Sequence, residues 1–286
     1  MRLDGRRSSS NVDDRRGRRT GLVAGAGGIG GLIITALIIW ISGGNPLSVL
    51  NNAGSLTGNQ VQQSYTPTEQ EERYAEFAKV ILAGTEDVWT EEFRKIGRTY
   101  EPPKMVLFTG SVQSGCGNAT SSVGPFYCSA DKTLYIDLSF FEQMEKQMGA
   151  GGDFAFAYVI AHEVGHHVQN LLGTLDAAHQ EMARLPEAES NKLSVRTELQ
   201  ADYYAGVWAY HDNRLFNSLE PGDIEEGLNA ASKIGDDYLQ KQAQGYAVPE
   251  TFNHGRSDQR VKWLELGART GDLSRGDTFS PSYSAL

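Results

Sequence analysis

Hydrophobic and polar positions divide this chain into four stretches. The first twenty residues are polar, with Arg2, Arg6, Arg7, Arg15, Arg16, Arg18 and Arg19 against Asp4, Asp13 and Asp14. They offer no apolar face and are expected to form a disordered basic arm. Residues 21–41 carry no charge and become strongly apolar from Leu32 to Ile41. As a helix rising 1.5 Å per residue they would span roughly 31 Å, the thickness of a hydrocarbon core, with Trp40 at an interface. One transmembrane helix is the expectation; a cleaved signal peptide ending near Ser42-Gly-Gly is the rival. Within the span, Gly21/Gly25 and Gly27/Gly31 form a face on which two copies could pair as a homodimer. Residues 42–68 lack charge and are rich in Gly, Asn, Ser, Gln and Thr, the composition of a flexible linker.

The fourth stretch, 69–270, has the periodicities of a folded domain. Thr68-Glu-Gln-Glu71 is a capping box, followed by Tyr74, Phe77 and Ile81 at helical spacing. A second helix is expected after Gly84, led by Glu86 and Asp87, with Val88, Trp89, Phe93 and Ile96 inward. Pro102-Pro103 ends the helices, and Lys104–Thr109 reads as a strand. Thr133–Ser139 alternates Leu134, Ile136 and Leu138 with Tyr135 and Asp137, as an edge strand with one solvated face would. Phe154–His167 is an apolar helix with Asp153 at its head and Gly173 past its end. Further helices are expected around Arg196–Gly206 and from Ser257 to a stop at Gly267, before a flexible tail, 271–286. The expected fold is α+β: a mainly helical domain with a small sheet, preceded by one transmembrane helix.

Candidate chemistry gathers on the helix at 154–167. His162 and His166 are four residues apart, so both rings point to one place, and Glu163 stands one residue off that face. This HExxH spacing suits zinc, which takes neutral imidazole nitrogens and leaves a glutamate free to act on a nearby water. A chance occurrence in so histidine-poor a chain has a probability on the order of a per cent. A third ligand is required. The longer HExxHxxGxxH form is excluded, because Gln169 and Leu172 occupy the Gly and His positions. His167 is turned about 100° from the site, and His179 and His211 carry no accompanying motif. Glu198 is the better candidate, with Asp202 one turn along the same face. Two stacked carboxylates on an apolar helix call for a cation, and Asp202 could hold the outer nitrogen of His162.

These residues also carry a resemblance. HExxH followed by ExxxD on a second helix resembles the glutamate-zincin metallopeptidases. Tyr127-Cys128-Ser-Ala-Asp131, Leu134–Phe141, His162–His167 and Glu198–Gly206 together look like the putative neutral zinc metallopeptidase family of bacterial membrane-anchored proteins. The resemblance covers about residues 100–269. It implies a zincin fold, a membrane anchor and a zinc-dependent peptidase. It also draws attention to His254, in Asn253-His-Gly-Arg256, as a second catalytic group that could donate to an oxyanion. Arg256 stands where family members usually carry a small hydroxyl residue.

Charge and cysteines set orientation and exclude partners. Seven arginines precede the apolar span and no Lys or Arg follows it until Arg73, so the arm is expected in the cytoplasm and the domain outside. Cys116 and Cys128 are the only cysteines, without CxxC spacing, and in an exported domain they read as a disulfide. The whole chain has a formal charge of −10; without the arm, 19 basic and 33 acidic residues leave −14. That disfavours nucleic acid and anionic membrane surfaces but tolerates basic peptides. The sequence thus points to a membrane-anchored zinc metalloendopeptidase, one Zn2+ per chain, acting on peptides or proteins. Zinc would be held by His162, His166 and Glu198, with Glu163 as general base. The competing class is a zincin-like membrane-tethered adaptor that binds without hydrolysing.

Overall fold

The computed structural model describes residues 1–17 and 65–286. The expected span at 21–41, its pairing face and the linker up to residue 64 lie outside the described residues. Among the described residues no helix is long and apolar enough to cross a membrane. The architecture is α+β and mainly helical, with a small four-stranded sheet and a separate two-stranded hairpin.

The arm is part of the folded body, which corrects the expectation of disorder. Strand β1 (Val12–Asp14) runs parallel to β2 (Lys104–Phe108), with Val12 opposite Met105. Arg6 forks onto the buried carboxylate of Asp212, its Nη1 3.0 Å from Oδ2. Arg16 donates to the Glu71 carbonyl and pairs with Glu72 at 3.0 Å. Composition suggested an arm with nothing to bury; what holds it is charge pairing and a strand edge supplied by the body. Gly17 lies against Tyr65, where an added Cβ would sit 2.4 Å from the ring.

Helix α1 (Glu69–Lys95) opens on the expected capping box, with Glu71 and Thr68 exchanging hydrogen bonds. It then runs unbroken through Gly84, where two helices were expected. Gly84 marks a close approach: an added Cβ would meet Arg6 Nη2 at 2.4 Å and Asp212 Oδ1 at 2.6 Å. Strands β3 (Ser111–Ser114) and β4 (Gly117–Thr120) pair antiparallel as a hairpin whose turn carries Cys116. A disulfide joins Cys116 to Cys128.

The sheet order is β1-β2-β6-β5, with β5 (Phe126–Cys128) antiparallel to β6 (Thr133–Asp137). The expectation that β6 forms an edge is therefore wrong: it is interior, and all five residues are buried. Tyr135, which the alternation assigned to solvent, stacks on Phe126 at 4.9 Å. Asp137 is buried because it accepts the backbone N–H groups of Gly110 and Ser139, at 2.8 and 3.0 Å. The edge nearest the histidine-bearing helix is β5.

The remaining helices are α2 (Ser139–Met148), α3 (Asp153–Leu172), α4 (Thr174–Met182), α5 (Glu187–Phe216), α6 (Asp223–Lys233), α7 (Asp236–Gln244) and α8 (Ser257–Thr270). Helix α3 ends on Gly173 in the left-handed region, as expected. Helix α8 continues past Gly267 to Gly271; Gly267 is a packing residue, set against the Tyr203 carbonyl and Gly206 of α5. The core lies between the sheet, α1, α3, α5 and α8. The tail expected to be flexible is laid against this core: Thr278 and Leu286 are buried, and Arg196 donates to the carbonyls of Thr278 and Phe279.

Candidate metal centre

The site forms where α3 crosses α5. Gly165, between His162 and His166 on α3, approaches Ala201 so closely that a Cβ would stand 2.8 Å from its carbonyl oxygen. Ala201 lies between Glu198 and Asp202, so this contact brings the two functional faces together. His162 Nε2 is 3.2 Å from Glu198 Oε2, and His166 Nε2 is 3.4 Å from Glu198 Oε1. The ligand atoms of His162, His166 and Glu198 all lie within 4.8 Å of one another. Atoms placed tetrahedrally at about 2.0–2.1 Å from a common centre are about 3.3–3.4 Å apart. Each histidine–glutamate spacing is of that size, one to each carboxylate oxygen, and two imidazoles with a carboxylate are a donor set zinc takes.

The outer ring nitrogens are already engaged. His162 Nδ1 donates to Asp202 Oδ1 at 2.8 Å, and His166 Nδ1 to Gln169 Oε1 at 2.9 Å. Each bond keeps the proton on Nδ1 and leaves the Nε2 lone pair for a metal. Asp202 is itself held by three donors besides the histidine. Tyr158 Oη donates at 2.6 Å, and Arg260 of α8 donates through Nε at 2.8 Å and Nη2 at 3.0 Å.

The electrostatics ask for a cation at this point. Burial opposes charge on His162, yet Asp202 and Glu198 raise it to about 10. Burial works against the Glu198 carboxylate too, but the histidines hold it well below the usual range. Asp202 is brought to about 2 by Arg260 and His162, again against burial. A proton on His162 supplies the positive charge that a metal would otherwise bring. Glu163 differs: burial pushes its carboxyl up, against the pull of the two histidines. A carboxylate of raised basicity beside the ligand cluster suits proton acceptance.

Comparison with known proteins gives the chain its relatives. The family described as "Putative neutral zinc metallopeptidase" matches residues 1–279. The chain belongs to this family. It is 48% identical over 290 residues to uncharacterized protein YpfJ of Escherichia coli K12, covering 99% of this chain and 100% of the relative. It is 49% identical over 191 residues to uncharacterized protein Rv2575 of Mycobacterium tuberculosis H37Rv, covering 63% of this chain and 64% of the relative. No solved structure matches it.

Other residues around this metallopeptidase-family site take distinct places. His254 Nδ1 faces Asp236 Oδ1 at 3.2 Å, and Asp236 Oδ2 accepts the backbone N–H of His254 and Gly255. Burial lowers His254, but Asp236 more than compensates and raises it. His254 also lies close enough to lower the Glu198 carboxyl. Arg256 turns outward to Asp258 at 2.8 Å, so the departure from the family pattern adds no side chain to the cluster. His167 is apart from the ligands: Nε2 donates to the Glu101 carbonyl, Nδ1 accepts from Tyr127 Oη, and burial lowers its pKa to about 4. His211 donates to the Gly271 carbonyl. His179 is likewise outside the set of ligand atoms. Sequence reading missed Tyr158, Gln169, Asp236 and Arg260. Only Arg260 left a trace, as a cation next to Val261 and three residues before Trp263 on a helix with a buried face.

Proposed function

We propose that this chain is a zinc-dependent peptidase, with one zinc per chain held by His162, His166 and Glu198. The observation that carries the reading is the convergence of these three ligand groups with both outer imidazole nitrogens already held. When bound, zinc would polarise a scissile carbonyl and lower the pKa of a water. Glu163 takes that water's proton and passes it to the leaving amine. His254, oriented by Asp236, donates to the oxygen on which negative charge develops. The chain's formal charge of −10 favours peptides that are neutral or basic.

The disulfide supports an oxidising compartment, and hence a body outside the cytoplasm. If residues 21–41 enter a membrane, the packing of residues 1–17 supports a topology that keeps arm and body on the same side.

The test is peptide-library cleavage by the zinc-loaded full chain, beside Glu163→Gln. The variant should keep zinc and lose at least about 100-fold in turnover, the scale of general-base catalysis. Zinc bound with no cleavage of any peptide would favour the adaptor reading. Equal cleavage by both proteins would remove Glu163 from its role.

A further inference from the structure

The two histidines are steadied by different means. His162 leans on a charged pair, whereas His166 leans on an amide that begins a longer chain of contacts. Gln169, fully buried one turn along α3, presents Oε1 to His166 Nδ1. Its Nε2 donates to the Thr197 carbonyl at 2.7 Å and to Gln200 Oε1 at 3.1 Å. Gln200 Nε2 then donates to the carbonyl of Gly276, in the C-terminal segment, at 2.7 Å. A main-chain carbonyl can only accept. Thr197 therefore fixes which end of the Gln169 amide faces it, and Gly276 does the same for Gln200. With both amides so turned, Gln169 offers His166 an oxygen and no hydrogen. The ring proton must then sit on Nδ1, leaving Nε2 bare towards Glu198.

We propose that Gln169 and Gln200 are positioning residues for the metal, and that the segment around Gly276 belongs to the same device. This rests on the reading of the site as a zinc centre. The segment is built to hold its place: Thr278 Oγ1 donates to the Arg196 carbonyl at 2.7 Å, and the Arg196 guanidinium donates back to Thr278 and Phe279. Gly276 is pressed on Tyr203, where a Cβ would come within 2.7 Å of the ring. The last residues of the chain thus reach the metal site through two side-chain amides and set the tautomer of one ligand.

The experiment uses the full chain and measures zinc affinity by chelator competition, the visible spectrum of the cobalt-substituted protein, and the Tm of the metal-free form. Gln169→Leu should weaken zinc by about 10–100-fold, the usual effect of losing a ligand's direct partner. Gln169→Glu, which still accepts from His166, should retain more zinc than Gln169→Leu. Gln200→Leu and Gly276→Val, one step further away, should each weaken it by about three- to tenfold, below that direct-partner range, and shift the cobalt spectrum. Placing Gly276→Val in the Gln200→Leu background should cost no further affinity, because both break the same link. The proposal is overturned if Gly276→Val and Gln200→Leu lower only the Tm, or if their effects on zinc multiply. Failure of the unaltered chain to bind zinc would instead refute the metal reading itself, and the relay with it.

Discussion

Asp202 has two duties that a pair of substitutions can separate. It orients His162 through Oδ1, and it neutralises Arg260, which is 3% exposed and, among the described residues, hydrogen-bonds no other carboxylate. Asp202→Asn keeps an oxygen for His162 but removes the charge. Loss of a ligand's carboxylate partner typically costs 10–100-fold in metal affinity, or about 1.4–2.8 kcal/mol at 1.4 kcal/mol per decade. The same change leaves a buried guanidinium uncompensated, which costs about 3–5 kcal/mol of fold stability. Against a typical total of roughly 5–15 kcal/mol, the single variant should be strongly destabilised and bind zinc weakly. Asp202→Asn with Arg260→Gln puts two neutral amides in contact. That double variant should recover most of the Tm of the metal-free protein while zinc affinity stays reduced. The assay is thermal unfolding of the metal-free form together with chelator competition. Recovery of both quantities would show that Asp202 serves zinc only by keeping the fold intact. No loss of either in Asp202→Asn would refute the geometry of the helix pair.

Two further outcomes follow from the charges. His162 is raised to about 10 by its carboxylates, so at neutral pH zinc must displace a proton; affinity should climb by about tenfold per pH unit between pH 6 and 8. Titration of zinc against a pH-independent competitor reads this, and a flat profile would contradict it. Arg6→Ala should strand the buried Asp212 carboxylate and cost about 3–5 kcal/mol in unfolding of the full chain. A loss below about 1 kcal/mol, the range of an exposed pair, would mean that the arm is not docked in solution.

What the sequence determined by itself was local. His162 and His166 share a helix face because 3.6 residues make a turn, and Glu198 and Asp202 share one for the same reason. The capping box at Thr68 and the glycine stop at Gly173 are likewise contacts within a few residues, and they stand where they were expected. Such features need no knowledge of the rest of the chain. The tertiary structure decided everything that depends on what a residue packs against. Gly84 and Gly267 carry helix-breaking signals, but neighbouring chain fills the space beside them and the helices run through. Tyr135 and Asp137 look solvated by alternation, yet a stacked ring and two backbone donors bury them. The basic arm and the C-terminal segment lack hydrophobic periodicity because Asp212, Glu72, Arg196 and Gln200 hold them through polar groups. Arg260 and Gln169 stayed unread for the same reason: a single polar residue on a helix has no period, and its meaning comes from the buried carboxylate or imidazole it meets.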